Sequence, residues 1–286
     1  MTIQNIISEG YQILKKNNIK SPLLDSEILM TKALGKKREY VILNIRNTLE
    51  KKKIKYFRHL INKRAKGKPV AYLLKKKSFW KSEFYVDENV LIPRPDTELI
   101  VEEVLNLTKN KKLLNILDIG IGSGCILLSV LKEKKGFRGT GIDINPNCLN
   151  ACKNNISKLN IKNKIKLFNS DVDNFNNGKY DLIISNPPYI KKSNLKYLEK
   201  DVINFEPKLA LDGGFDGLSE IRKVINKSSD LIKKNGKLVL EIGFDQKFEV
   251  KRLLKEKGFY INSVLKDFGK NDRCIISTKV WENKKW

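Results

Sequence analysis

Apolar residues return every three or four positions along the first 66 residues, then gather into short unbroken blocks from residue 113 onward. The first pattern is that of amphipathic helices and the second that of buried strands. Ile3, Ile6, Ile7, Tyr11 and Leu14 fall close to one helical face. Ser21 followed by Pro22 marks the start of a second helix, because proline at the first helical position sacrifices no hydrogen bond. A third helical stretch covers about 37–45, and a fourth covers about 50–66, closed by Gly67 with Pro69 beyond it. Together these predict a small helical bundle. Residues 83–91, EFYVDENVL, read as a short hairpin turning at Asp87-Glu88-Asn89. Pro93 and Pro95 stiffen the next segment, and a helix is expected from Asp96 or Thr97.

From residue 113 strand and helix alternate. LLNILDIG (113–120), RGTGIDI (138–144), KIKLFNS (164–170), YDLIIS (180–185) and KLVLEIG (237–243) are the predicted strands. Helices are expected over 123–134, from Pro146, and over about 218–234 and 245–257. This alternation predicts an α/β fold with a doubly wound parallel sheet. FYINSVL and RCIISTKV are separated only by KDFGKND, too short for a crossover helix, so they should pair antiparallel. Three regions follow: a helical domain over 1–80, a hairpin and linker over 81–112, and a catalytic domain over 113–286.

Composition narrows the class. The chain of 286 residues is 41% hydrophobic and 31% charged, the balance of a folded, water-soluble protein. It has no run of about 18 apolar residues, and MTIQNIISEG lacks the order of a signal peptide. A cytoplasmic location without membrane contact is the expectation. The cysteines at 125, 148, 152 and 274 form no CxxC pair. The one histidine, His59, lies off the apolar face of Ile54, Phe57 and Ile61, so no metal site is expected. The net charge of +25 suits an acidic or RNA-containing partner. Yet only nine of the 57 basic residues are arginine, and an A+T-rich genome would by itself enrich lysine, asparagine and isoleucine. Nucleic acid therefore stays possible without being required.

Candidate chemistry sits at the ends of the predicted strands. LDIGIGSGC places Asp118 at the end of the first, then Gly120, Ile121, Gly122, Ser123 and Gly124. A dinucleotide fingerprint would want glycine at 125, where cysteine stands. The GxGxG spacing instead resembles the S-adenosylmethionine (SAM) loop of class I methyltransferases. Asp143 ends the second strand, where a carboxylate can accept two ribose hydroxyls or cap the helix that opens at Pro146. Asp171 follows the third strand and can receive an adenine amino group while Val172 packs on the ring; a plain turn aspartate is the competing reading.

The fourth strand breaks at Asn186-Pro187-Pro188-Tyr189. Two prolines cannot continue a sheet. At a ligand-facing strand end they have another use. An amide or aromatic amine is a poor nucleophile because its lone pair is delocalised. The Asn186 side-chain oxygen and the Pro187 carbonyl can each accept one N–H of such a group, orienting it and favouring positive charge as it develops. Proline offers no competing N–H. Tyr189 can stack on a flat substrate.

SPLLDSEIL (21–29), KRAKGKPVAYLL (63–74), Phe79-Trp80, LIPRPDTE (91–98) and FEPKLALDGGFDGL (205–218) surround these motifs. In that combination the chain resembles the protein-(glutamine-N5) methyltransferases that modify peptide-chain release factors. The resemblance implies that Gly120 to Gly124, Asp143, Asp171 or Val172, and Asn186 contact SAM. It implies that Asn186 to Tyr189 hold the target glutamine, with Phe79 and Arg94 near the site. The implied partner is a bacterial release factor, and a monomer is expected. Two positions depart from the family pattern: Lys75 stands where glycine is usual, and Val172 where an aromatic is common. The same chemistry on a ribosomal-protein glutamine or on adenine N6 in DNA or RNA is the alternative, and a basic ribosome-associated binding module with a vestigial SAM fold is a third.

Overall fold

The computed structural model describes residues 1–280. Five helices come first: α1 (Ile3–Lys16), α2 (Pro22–Leu34), α3 (Arg38–Leu43), α4 (Lys51–Ala65) and α5 (Val70–Leu74). A hairpin, β1 (Lys77–Phe79) with β2 (Ser82–Phe84), precedes α6 (Glu98–Leu107). Next come β3 (Asn115–Ile119), α7 (Cys125–Glu133), β4 (Arg138–Asp143), α8 (Pro146–Lys158), β5 (Ile165–Asn169) and β6 (Tyr180–Ser185). The short α9 (Lys200–Phe205) is followed by α10 (Ser219–Leu231), β7 (Ile232–Glu241), α11 (Lys247–Glu256), β8 (Phe259–Lys266) and β9 (Asp272–Lys279).

The chain forms two compact units. One holds residues 1–76 together with Glu199–Phe205, and the other holds 77–198 with the chain from Glu206 onward. In the first unit Ile6, Leu14, Leu29, Met30 and Ile61 make a buried core. Helix α1 approaches its neighbours closely at Gly10, where an added Cβ would meet Ser26 Oγ at 2.4 Å and Phe57 Cζ at 2.8 Å. Arg64 lies buried in this unit. Its Nε donates to Asp25 at 2.7 Å and its Nη1 to Asp201 at 2.8 Å. That second pair ties α9, remote in sequence, to the helical bundle. Helix α5 has five residues, too few for a readable period. It ends at Lys75 with φ of 56°, the left-handed turn where the resemblance expects glycine, and lysine holds it at a strain of about 1 kcal/mol.

The second unit carries a seven-stranded sheet in the order β5-β4-β3-β6-β7-β9-β8. The first five strands are parallel, and β9 runs antiparallel to both neighbours. Alternate residues feed opposite faces. Ile116 and Leu182 join Ile100, Leu127 and Leu149 from α6, α7 and α8; Leu117 and Ile183 join Val224 and Val250 from α10 and α11. This is the expected doubly wound sheet with an antiparallel last strand. Strand β7 starts earlier than expected, at Ile232, and reaches the KLVLE run through an irregularity against β6.

Other expectations change. The hairpin is not 83–91; it turns at Trp80-Lys81, with Trp80 at φ of 52°. The Trp80 amide donates to Glu98 Oε1 at 2.8 Å, so a side chain from α6 fixes a turn that has no glycine to announce it. Asp87 does turn the chain, accepting from the Asn89 amide at 3.0 Å, but without flanking strands. Nor is 81–112 a separate linker: Phe84, Ile100 and Val104 are fully buried in the core beneath the sheet. The first unit stops at Lys76 rather than 80 and takes in Glu199–Phe205 as well. The far end of the expected catalytic domain, 281–286, lies outside the described residues.

Replacing Arg64 by methionine strands the Asp25 carboxylate in a buried site. We expect a loss of about 3 kcal/mol, measured as a shift in the urea unfolding midpoint, with faster amide exchange across 199–205.

Candidate active site

The five parallel strands end along one edge of the sheet, and a cleft of about 240 Å³ opens there. The register sets its centre. Ile119, Ser185 and Leu240 are level across β3, β6 and β7, so the residues that follow them, Gly120, Asn186 and Glu241, emerge side by side. The Ser185 hydroxyl donates to the Ile119 carbonyl at 2.7 Å and locks the two strand ends together.

Gly120, Gly122 and Gly124 all have positive φ, at 76°, 53° and 82°. A Cβ on Gly120 or Gly122 would meet nothing within 4 Å, so the loop backbone itself faces the open cleft. Gly124 does not line it; a Cβ there would strike Cys152 Sγ at 2.7 Å, so this glycine lets α7 start against α8. The loop amides are already used. Those of Gly120 and Ile121 donate to the Ile142 carbonyl, that of Gly124 to Ile121, and that of Gly122 to Asp143 Oδ2 at 2.9 Å. Such a loop has few amides left for a phosphate, unlike a pyrophosphate-binding turn. Ile121 and Ser123 also line the cleft. Asn155, buried in α8, donates to the Ser123 carbonyl at 2.9 Å and holds the loop from behind.

Asp143 stands at the tip of β4 beside the loop. Its Oδ1 accepts from the Asn145 amide at 2.9 Å, and Asn145 caps α8 in its place. Burial raises the Asp143 pKa against these two backbone hydrogen bonds. Each oxygen keeps a second lone pair for a ligand hydroxyl. Asp171 lines the cleft while its Oδ1 accepts from the Asp173 amide at 2.8 Å, so both of its readings coexist. Val172 lines the cleft from its place in the core.

Asn186, Pro187 and Pro188 face the cleft, and Asn186 Nδ2 donates to Thr97 Oγ1 at 3.3 Å. Tyr189 does not. Its ring packs on the core, its hydroxyl lies 3.5 Å from Glu241 Oε1, and its carbonyl accepts from Gln246 Nε2 at 3.0 Å. The stacking role expected from sequence has no support in this placement; the tyrosine anchors the turn. Phe79 also departs from expectation. It is 1% exposed, edge-on to Phe84 with ring centroids 6.1 Å apart, and belongs to the core. Arg94 does line the cleft, paired to the buried Glu206 at 2.7 Å. The FEPKLALDGG segment returns to the site: Ile190 exchanges backbone hydrogen bonds with Leu211 and Gly213, and Gly213 is the close approach, where a Cβ would lie 2.8 Å from Tyr189 Cα.

Sequence reasoning missed Thr97, Cys148 and Glu241. Glu241 had a signal, an acid inside the apolar run KLVLEIG. Burial pushes its pKa up to about 7, opposed by the Thr97 hydroxyl and the Arg273 guanidinium. Asp118 is more extreme: burial pushes it up to about 8, with Oδ2 lacking any partner among the described residues. The cysteines are all free, and burial holds the cleft-lining Cys125 thiol up at about 12, which makes it a poor nucleophile. Among the described residues no cluster of metal-ligating side chains forms, and no helix is long and apolar enough to cross a membrane.

Two family models match the chain: the PrmC N-terminal domain over residues 5–74 and the methyltransferase small domain over 95–266. A release factor glutamine methyltransferase of Clostridium acetobutylicum is 35% identical, over 98% of this chain and 99% of its own length. One from Buchnera aphidicola (subspecies Acyrthosiphon pisum) is 36% identical, over 98% of this chain and 99% of its own. A bifunctional methyltransferase of Rickettsia conorii is 33% identical over the whole of this chain and 59% of its own. Among solved structures, a methyltransferase from Pyrococcus furiosus aligns with a TM-score of 0.55 at 18% identity, over 72% of this chain and 92% of that one. That likeness is one of fold, the class I methyltransferase architecture.

The Asp118 shift has a consequence for stability. Between pH 3.8, its ordinary value, and about 8, the native state keeps a proton that the unfolded chain has released. The native state therefore loses stability as pH rises through that window. Asp118→Asn should flatten the decline, so that its melting temperature gains on the parent at pH 8.5 and not at pH 4, measured by thermal unfolding at both.

Proposed function

The chain belongs to the release factor glutamine methyltransferases, and from that premise we propose that it moves a methyl group from SAM to the side-chain N5 of a protein glutamine. The target is the glutamine of the Gly-Gly-Gln loop in a bacterial peptide-chain release factor, in support of translation termination. The observation that carries this reading is the Asn186-Pro187-Pro188 turn at the end of β6, in one cleft with the open glycine loop.

The residues present fit SAM. Gly120 and Gly122 leave room where side chains would stand, and the loop's satisfied amides suit a ligand without a phosphate. The loop backbone with Asp143, Asp171, Val172 and Asn186 would hold it. When bound, SAM supplies an electrophilic methyl on its sulfonium. The chain's own part is positioning. Asn186 Oδ1 and the Pro187 carbonyl accept the two N–H groups of the substrate amide, which turns the nitrogen lone pair outward and favours the positive charge that grows on it. Neither Pro187 nor Pro188 has an N–H to compete for the substrate carbonyl. Arg94, held by Glu206, gives the cleft a cation. The new N–CH3 bond forms as the S–CH3 bond breaks, the amide nitrogen gives up one proton to water, and the products are S-adenosylhomocysteine and N5-methylglutamine. The helical unit serves substrate recognition. In this reading the protein acts in the cytoplasm as a monomer, without metal and with no need of nucleic acid.

Incubation with SAM and a purified release factor, followed by peptide mass mapping, should place one methyl on the glutamine of Gly-Gly-Gln. A methyl found only on added DNA or RNA would overturn the reading. Asn186→Ala should lower turnover by about a hundredfold or more while SAM affinity changes far less, measured by steady-state kinetics and calorimetry.

A further inference from the structure

Lysine is common throughout this chain, but one stretch also lacks acids. From Lys51 to Lys76 there is no aspartate or glutamate, where the chain's average density would put about three, and there are 11 lysines and arginines. A codon bias toward lysine acts along the whole chain and does not clear the acids from one stretch. Helix α4 carries most of this run. Its apolar side, Ile54, Phe57, Leu60 and Ile61, is buried in the core of the helical unit. Its outer side repeats as Lys51, Lys55, His59, Asn62 and Lys66, with Lys52 and Lys63 beside them, and all seven are exposed. The stripe is about 22 Å long.

Several lysines elsewhere are paired, as Lys20 is with Glu199 and Lys233 with Asp181. Lys51, Lys52, Lys55, Lys63 and Lys66 have no ion-pair partner among the described residues. Glu9, which α1 brings to this helix, is already taken by Arg58 through two hydrogen bonds of 2.7 Å. An open depression there is lined by Met1 and six residues of α4, none of them acidic. The arrangement works against folding. Lys51, Lys52 and Lys53 occupy the first turn, where the helix dipole disfavours cations and no acid stands to offset them. Lys51 and Lys55 are like charges at i, i+4 spacing, which repel.

An external polyanion would relieve both strains. We propose that the outer face of α4 binds the phosphate backbone of a nucleic acid without reading its sequence. Evenly spaced lysines along a straight helix form a line of point charges, the complement of a line of phosphates. Base reading leans on the arginine fork, and the one arginine on this face, Arg58, is occupied by Glu9. A protein partner fits less well, since protein interfaces are poor in lysine and rely on aromatic and arginine anchors; Tyr56 is the one exposed aromatic of α4. A membrane surface fits less well again, because the apolar side of α4 is already buried in the core and has nothing to insert. The inference goes beyond the methyl transfer proposed above and does not depend on it.

The test is fluorescence anisotropy of the full chain with labelled oligouridylate and oligothymidylate of about 20 nucleotides each. The parent should bind with an affinity that falls steeply between about 50 and 200 mM salt. Binding to both assigns the shared backbone, and binding to one alone narrows the ligand to RNA or to DNA. The quadruple variant Lys51→Gln/Lys55→Gln/Lys63→Gln/Lys66→Gln should bind at least about tenfold more weakly at low salt, with the slope of log K against log salt reduced by about 3. A control, Lys15→Gln/Lys16→Gln/Lys36→Gln/Lys37→Gln, removes as many exposed charges from the same unit and should stay within about twofold of the parent. In thermal unfolding at low salt the α4 variant should melt no lower than the parent, and oligouridylate should raise the melting temperature of the parent and not of the variant. No binding to either oligonucleotide at low salt would overturn the proposal. So would equal losses in the α4 variant and the control, which would assign binding to net charge alone. A lower melting temperature of the α4 variant would make these lysines structural and overturn it as well. Poly-glutamate of equal charge binding as tightly as the oligonucleotides would overturn it in favour of an acidic protein surface.

Discussion

Everything at the site depends on one constraint: parallel strands must all end on the same edge of their sheet. Backbone pairing of β3, β6 and β7 holds Ile119, Ser185 and Leu240 level. The residues that follow them are a glycine, an asparagine and a glutamate. The open glycine loop, the cleft-facing Asn186 and the buried Glu241 are thus aligned by hydrogen bonds made elsewhere. The Ser185 hydroxyl on the Ile119 carbonyl tightens that alignment at the last rung. A slip of one residue would turn Asn186 to the opposite face.

Around this edge the chain accumulates acids in a protein whose net charge is +25. Asp118, Asp143 and Glu241 are all buried or nearly so, and burial raises the pKa of each. Their roles differ because their partners differ. Asp143 is occupied by two backbone amides and braces the glycine loop to α8. Glu241 has the Tyr189 hydroxyl 3.5 Å from its Oε1. Asp118 keeps an oxygen with no partner among the described residues. Unpaired burial of this kind costs stability.

The segment after β6 does two jobs. Residues 199–205 belong to the helical unit, held by Asp201 on Arg64. The residues that follow them belong to the sheet-bearing unit: Glu206 accepts from Arg94 and from the Ile92 amide, and Gly213 lies against Tyr189. One stretch of about 20 residues therefore supplies a piece of the bundle and a wall of the cleft. Its glycines are there for approach rather than for flexibility, since side chains at 213 and 217 would strike the Tyr189 backbone.

Much of this was legible in the chain itself. Period and block length identified the bundle and the alternating sheet, because burying one face leaves a repeat in the sequence. The glycine loop, Asp143 and Asn186-Pro187-Pro188 were legible because positive φ, a strand-tip acid and paired prolines each need a particular residue type. Tertiary structure decided the rest. The hairpin turn at Trp80 is set by Glu98, a partner 18 residues away. Phe79 and Tyr189 looked like substrate contacts from their neighbours in sequence, and packing turned both into the core. The insertion of β9 between β7 and β8 leaves no local trace, since either hairpin strand could have paired with β7. Thr97 was silent for the same reason. A threonine and an asparagine 89 positions apart acquire a contact only when the end of β6 and the start of α6 come together.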